Sequence, residues 1–298
     1  MSTSLLVITG PTASGKTRRA VDCAKALGGE IISADSRQVY SGMDIGSGKD
    51  IEEYGDIPYH LIDIKPAGYQ YNLYEFLRDF NTARADIECR GLRPILCGGT
   101  GMYVEAAVRG SVLPSVGRDD ELRRELEAKP TAELVEILKS FGPLPADLDL
   151  DNPRRIIRRI ELATHAPASS TESRQVDKAD AVIVGVSIDR DERRHRISER
   201  LRSRLQNGMI EEVERLIAEG VPTETLIAYG LEYRYVTLYL TGQLDREEME
   251  RLLEIAIHQF AKRQMTWFRG MERRGLPIHW LPWDISAKEF TDAVAELL

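Results

Sequence analysis

Cysteine is scarce: Cys23, Cys89 and Cys97 are the three in 298 residues. The number is odd and no Cys-x-x-Cys or Cys/His cluster occurs. That argues against a disulfide framework or a structural zinc and points to a reducing cytosol. His60, His165, His195, His258 and His279 are scattered without metal-ligand spacing. Long apolar runs are missing too. Leu5-Leu6-Val7-Ile8 follows no basic segment and is too short for a signal peptide, and nothing approaches the ~18 apolar residues of a membrane span. A soluble, cytoplasmic protein without a membrane partner is expected. Internal repeats and low-complexity tracts are absent. Positive charge is in deficit, with 40 Lys+Arg against 48 Asp+Glu. By itself this balance speaks against a surface that attracts nucleic acid everywhere. The 42% hydrophobic and 30% charged content is that of a globular chain, long enough for about two domains.

What is present begins with alternation. Leu5–Ile8 is a short apolar run ending in Gly10-Pro11, as a buried parallel strand does. Residues 16–27 have helical spacing and stop at Gly28-Gly29. Glu30–Ser33 and Tyr59–Asp63 read as strands, 72–90 as an amphipathic helix, and Arg93–Cys97 as a strand running into Gly98-Gly99. Strands alternating with helices imply an α/β fold with a parallel sheet. Beyond Gly110, residues 119–140 are charged and helical, Asp147 to Pro153 is a turn-rich joint, and 153–164 is an Arg-laden helix. Ala181–Ile188 is the last convincing strand, and the rest is helical to about Gly275. With a G-x-x-x-x-G-K-[ST] loop at residues 10–17 after the first strand, the fold class is a P-loop NTPase-like parallel-sheet core with an additional helical insertion domain. The core spans 1–113, completed by about 151–190 and 251–298. Helical parts occupy about 114–150 and 191–250.

Gly10-Pro11-Thr12-Ala13-Ser14-Gly15-Lys16-Thr17 matches G-x-x-x-x-G-K-[ST] in full, between a predicted strand and a predicted helix. Its backbone N–H groups and helix N-terminus suit a phosphate, Lys16 adds a point charge, and Thr17 can hold Mg²⁺. The motif implies polyphosphate binding and leaves hydrolysis and the nucleotide open. Asp35 follows the second strand at the ligand-binding edge of such a sheet. A carboxylate there can act as general base, hold a metal through water, or cap a helix. Gly98-Gly99-Thr100-Gly101 ends another strand at that edge, where backbone can approach a ligand and Thr100 adds a hydroxyl.

Three segments are basic within this acidic chain: 154–159, 190–204 and 258–274. A charge run usually marks a solvated helix face, but Arg also suits bidentate phosphate contact, and RNA-backbone binding is expected of at least one. Trp267, Phe268 and Trp280 fit a core role better than a base-stacking one.

Together these residues resemble the tRNA dimethylallyltransferase (tRNA isopentenyltransferase) family. The phosphate loop, Asp35-Ser36-Arg37-Gln38-Val39-Tyr40-Ser41-Gly42-Met43-Asp44-Ile45-Gly46, Gly98–Tyr103 and Phe260–Arg269 match its four signatures in order, across nearly the whole chain. The resemblance implies transfer of a dimethylallyl group from dimethylallyl diphosphate to N6 of the adenine just 3′ of a tRNA anticodon. Residues 10–17 would hold the diphosphate, with Thr17 on Mg²⁺. Asp35 would take the N6 proton, Thr100 would hold the amine, and Lys16 would stabilise the leaving group. The family pattern carries Asp35, Ser36, Arg37, Gln38, Thr100, Arg123, Arg154, Arg155, Ile156, Ile157 and Arg158 over as contacts to the tRNA anticodon stem-loop. A monomer is expected. The chain departs from the pattern where Ile227, Leu231 and Glu232 replace the usual Arg or Gln, Tyr, and basic residue, with Tyr233 and Arg234 placed to compensate. His258 stands where Arg is common, and the Cys and His content excludes the zinc finger of eukaryotic members. Competing possibilities are an ATP-using small-molecule kinase, an adenylate-prenylating enzyme, and an RNA-binding protein with a vestigial loop.

Overall fold

A computed structural model describes residues 4–111, 119–144, 148–165 and 180–298. Met1 to Thr3, the seam drawn at 113/114, and Asp147, where the sequence places the joint, lie outside them. The element order is β1 (Leu5–Thr9), α1 (Lys16–Leu27), β2 (Gly29–Ser33), β3 (Tyr40–Ser41), a 3-10 turn (Ile51–Tyr54), β4 (Tyr59–His60), β5 (Lys65–Pro66), α2 (Leu73–Cys89), β6 (Arg93–Gly98) and α3 (Gly101–Arg109). Then come α4 (Asp120–Glu127), α5 (Thr131–Ser140), α6 (Pro153–His165), β7 (Ala181–Ser187), α7 (Arg190–Gln206), α8 (Met209–Ala218), α9 (Thr223–Tyr229), α10 (Leu231–Leu240), α11 (Arg246–Arg273), β8 (His279–Pro282) and α12 (Ala287–Leu297).

The main sheet has the order β4-β2-β6-β1-β7-β8, and every pair in it is parallel. β1 is buried along its whole length, as a strand flanked on both edges and both faces must be. That is why its sequence runs Leu-Leu-Val-Ile without alternation. The chain leaves β1 through α1 and skips a place to reach β2, with β6 filling the gap. Consequently β2, β6 and β1 are neighbours, and their carboxyl ends stand side by side: Ser33 pairs with Cys97 and Thr9 with Gly98.

Two expectations need correcting. The strand expected at 59–63 stops after His60, because Leu61 and Asp63 have φ of 64° and 57°, incompatible with extended backbone. Residues 119–140 are helical as expected, in two helices, since Pro130 caps the second (φ −60°) and has no N–H with which to continue the first. Ala181–Ser187 is followed by a further strand, β8, whose four residues escape notice as an exposed edge.

The chain divides into two compact units, Met1–Ser111 with Asp177–Leu298, and Val112–Val176. The sequence groups about 151–190 with the core; α6 instead lies in the second unit. There its Ile156, Ile157 and Ile160 pack with Leu126, Leu134 and Leu138, an apolar stripe at helical spacing. The larger unit has one cluster beside the sheet, including Leu6, Ile8, Ile31, Ile95, Val184 and Phe290. A second joins α7–α11 through Leu201, Val213, Leu226, Tyr233, Leu253 and Ile257 to Val39, Tyr40 and Met43. The helices of 191–250 are therefore packed onto the segment that follows Asp35. Glu212 secures that segment, accepting hydrogen bonds from the amides of Asp44 (2.7 Å), Ile45 (2.7 Å) and Gly46 (3.0 Å) and from the Tyr233 hydroxyl (2.8 Å).

Candidate active site

The carboxyl ends of β1, β6 and β2 open into one cavity of about 440 Å³, within the ~300–1,000 Å³ of small-molecule sites. The phosphate loop forms its first wall. Its tight path requires left-handed backbone at Ala13 (φ 63°) and Gly15 (φ 80°), so that α1 can start at Lys16 with its amino end toward the cavity. Ser14 is buried and its Oγ has no hydrogen-bond partner among the described residues. An orphaned hydroxyl in a loop of this shape is what a bound oxyanion would satisfy. Thr12, Lys16 and Thr17 line the cavity. Burial pulls the Lys16 ammonium below its ordinary value, while Cys97 and Asp35 beside it favour the charge.

Asp35 lies in the second wall. Its Oδ1 accepts the Arg37 amide at 2.9 Å, an Asx turn that orients the carboxylate. Asp35 is only half-buried and caps no helix among the described residues, so the capping role the sequence left open is not the one seen. Ser36 donates its amide to Thr100 Oγ1 at 3.2 Å, joining the walls that carry Asp35 and Thr100. Gln38 is buried and committed to structure: Oε1 accepts from Ser33 Oγ (2.8 Å) and Nε2 donates to the Gly48 carbonyl (3.2 Å). Asp35, Ser36, Arg37, Gln38 and Thr100 all face the cavity.

The glycines of the third signature are explained by contact. A Cβ on Gly98 would lie 2.3 Å from the Ala34 carbonyl oxygen, on Gly99 2.5 Å from Gln264 Nε2, and on Gly101 2.4 Å from Trp267 Cδ1. The loop is thus pressed between β2 and α11. Gln264 spans two loops, accepting from the Thr12 amide at 2.8 Å and donating to the Gly99 carbonyl at 2.9 Å.

Several lining residues were not assigned from sequence: Arg200 and Arg204 of α7, Glu232 of α10, and Phe260, Gln264 and Trp267 of α11. The signal was spacing, since 200/204 and 260/264/267 each share a helix face. Trp267 departs from the core role assigned to it. It is 40% exposed and lines the cavity. Phe268 is fully buried and meets Trp280 edge-on at 6.1 Å.

The remaining assigned residues belong to the smaller unit. Arg154 and Arg155 are exposed on α6. Ile156 and Ile157 are 0% and 3% exposed, which corrects their place among RNA contacts: the apolar periodicity that suits them to the core takes their side chains off the surface. Arg123 and Arg158 bind the buried Glu161, Arg123 through bonds of 2.6 and 2.8 Å and Arg158 at 3.2 Å.

Comparison with known proteins follows the same lines. Residues 38–271 match the IPP transferase family model, and residues 3–54 that of isopentenyl transferase. The chain is 54% identical to tRNA dimethylallyltransferase 1 of Porphyromonas gingivalis, over 98% of each chain. The tRNA isopentenylpyrophosphate transferase structure from Bacillus halodurans superposes with a TM-score of 0.73 at 32% identity, covering 98% of this chain and 96% of that one. A eukaryotic dimethylallyltransferase shares the fold with a TM-score of 0.84 at 23% identity, covering 99% and 79%.

Proposed function

Because this chain belongs to the IPP transferase family, we propose that it transfers a dimethylallyl group from dimethylallyl diphosphate to N6 of the adenine just 3′ of a tRNA anticodon, releasing diphosphate. The observation that carries this is the convergence of phosphate loop, Asp35 and Thr100 on one cavity through three neighbouring strands. The N6 lone pair forms the new C–N bond to the allylic carbon. The C–O bond to diphosphate breaks, and its electron pair leaves with the diphosphate. The N6 proton passes to Asp35, and Thr100 helps hold the amine. Lys16 and the amides of residues 10–17 meet the charge that develops on the leaving group. A weak exocyclic amine gains most from being held in line, so positioning supplies much of the rate.

The donor set fits Mg²⁺, which takes few protein ligands and keeps water and phosphate oxygens. The Thr17 hydroxyl would hold it, with the Asp35 carboxylate on the same cavity. When bound, magnesium would neutralise part of the diphosphate charge. An adenine inside a stem-loop must leave its stack to reach this cavity. Met102, Phe260 and Trp267, all at least one-third exposed, provide apolar surface along the cavity. The exposed Arg190, Arg194 and Arg202 of α7 and the exposed Arg154 and Arg155 suit the RNA backbone.

The test is incubation with Mg²⁺, labelled dimethylallyl diphosphate and unmodified tRNA. Label should enter RNA and do so no longer in Asp35→Ala. Labelling of AMP instead, or transfer only from ATP, would reject the proposal.

A further inference from the structure

The cavity contains a cation with no closer partner among the described residues than a carboxylate at 3.6 Å. Arg204 is only 15% exposed, and the one carboxylate in ion-pair range among the described residues is Glu232, at 3.6 Å. None of its guanidinium N–H groups makes a hydrogen bond within the described residues. Its i−4 neighbour Arg200, by contrast, is anchored to the Asp50 carboxylate and lies 3.5 Å from the Gly48 carbonyl. The seat beneath both is Gly48, where a Cβ would fall 1.6 Å from Arg204 Nη2 and 2.8 Å from Arg200 Nη2. Two guanidinium groups are therefore accommodated side by side at the cavity wall.

Buried charge is costly unless compensated, and adjacent like charges add to the cost. Burial lowers the Arg204 pKa and Arg200 pushes it the same way, while burial raises that of Glu232. The protein supplies too little negative charge for this wall. Arg37, Arg263 and Lys16 add to the positive lining, against Asp35 and Glu232 alone. Arg234, the residue placed to compensate for the altered stretch at 227–234, is exposed and does not line the cavity. A multiply charged oxyanion with several acceptor atoms is the ligand class that satisfies such a set, because guanidinium groups bind it through two N–H donors at once.

We propose that Arg204 is a diphosphate-binding residue, which with Arg200 and the phosphate loop receives the leaving group, and that Glu232 is its stand-in partner until substrate arrives. This rests on the reaction proposed above. It adds a source of leaving-group charge stabilisation that comes from α7 instead of the stretch around 227–234.

The test uses the full chain with Mg²⁺ and inorganic pyrophosphate as probe, measured by calorimetry, beside steady-state kinetics and tRNA binding. Loss of a charge-assisted contact predicts that Arg204→Gln weakens pyrophosphate binding about tenfold or more, with a parallel rise in KM for dimethylallyl diphosphate. Its tRNA affinity stays within about twofold. Glu232→Gln removes the competitor and should tighten pyrophosphate binding. Unchanged pyrophosphate affinity in Arg204→Gln overturns the proposal, and so does loss of tRNA affinity alone, which would make Arg204 an RNA contact. If Arg204→Gln does not fold, Glu232→Gln decides, and weaker or equal pyrophosphate binding there counts against it. A wild-type chain that binds pyrophosphate through Arg204 yet transfers no dimethylallyl group to tRNA would sink the reaction and leave this role standing.

Discussion

The Gln264 carboxamide accepts the amide proton of Thr12 at 2.8 Å, across 252 residues of chain. Its Nε2 holds the Gly99 carbonyl, so one side chain fixes the distance between the phosphate loop and the third signature. Gln264→Ala would leave the buried Gly99 carbonyl unpaired at about 1–3 kcal/mol, and the half-buried Thr12 amide at less. The expected result is a fall of about tenfold or more in kcat/KM for dimethylallyl diphosphate, with Gln264→Glu losing the Gly99 bond while retaining an acceptor for Thr12. Steady-state kinetics on both variants checks this. Activity within about twofold of wild type in both would show the bridge to be idle.

Asp35→Asn keeps the shape of the Asx turn and removes the base. General-base removal costs about 10²–10⁴ in rate, so kcat should fall by that order while pyrophosphate affinity changes little. Single-turnover transfer to tRNA separates the two. A loss confined to KM would refute the assigned role.

Gly101→Ala tests the pressed loop. Its Cβ would sit 2.4 Å from Trp267 Cδ1, so the indole or the loop must shift, and overpacking costs typically about 1–3 kcal/mol. A lowered melting temperature and a raised KM are expected together, and Trp267→Ala in the same chain should restore the stability. An additive double variant would show the contact to be unimportant.

The acid limb of stability should carry a contribution from Glu30. The Arg90 hydrogen bonds hold its carboxyl at about 2, against burial and with His60 assisting. A folded-state value depressed in this way stabilises fully above the unfolded value of 4.5, and that stability is lost as pH falls from there to about 2. With Arg90 42% exposed, solvent screening leaves on the order of 1–2 kcal/mol. Urea midpoints of wild type and Glu30→Gln should differ at pH 7 and converge near pH 2. A constant gap would exclude the linkage.

Salt titration of tRNA binding separates two kinds of arginine in the smaller unit. Arg154→Gln with Arg155→Gln should reduce the slope of log K against log salt by about 1–2, since each phosphate contact contributes a little under 1. Arg123→Ala should instead lower stability by about 3–5 kcal/mol, because it strips a partner from the buried Glu161. Arg154 and Arg155 variants that bind with an unchanged slope would remove α6 from the RNA surface.

Much of the sheet and of the first three signatures was legible because their chemistry is local. Continuous apolar runs mark buried parallel strands, and α1 is bracketed by Gly15 and Gly28 as the spacing 16–27 requires. What escaped is set by packing at a distance. Nothing near Glu212 announces that its carboxylate will gather three amides from residues 44–46. Arg200 and Arg204 are two among the seven arginines of 190–204, and the turn of α7 against Gly48 separates them from the exposed Arg190, Arg194 and Arg202. Ile156 and Ile157 came attached to a basic motif, although their own apolar periodicity already indicated core. β8 is too short and too exposed for pattern to reveal it.

The placement of α11 also bears on how the protein is made. Phe260, Gln264 and Trp267 belong to the last long helix among the described residues, yet they close a cavity whose other walls end by residue 102 and, in α7, α9 and α10, by residue 240. A chain still emerging from the ribosome can complete its first strands and present Gly10–Thr17, but Thr12 and Gly99 have no Gln264 to tie them. Competence for substrate therefore waits until α11 has been made. Truncated products that stop before α11 should be inert toward both donor and RNA.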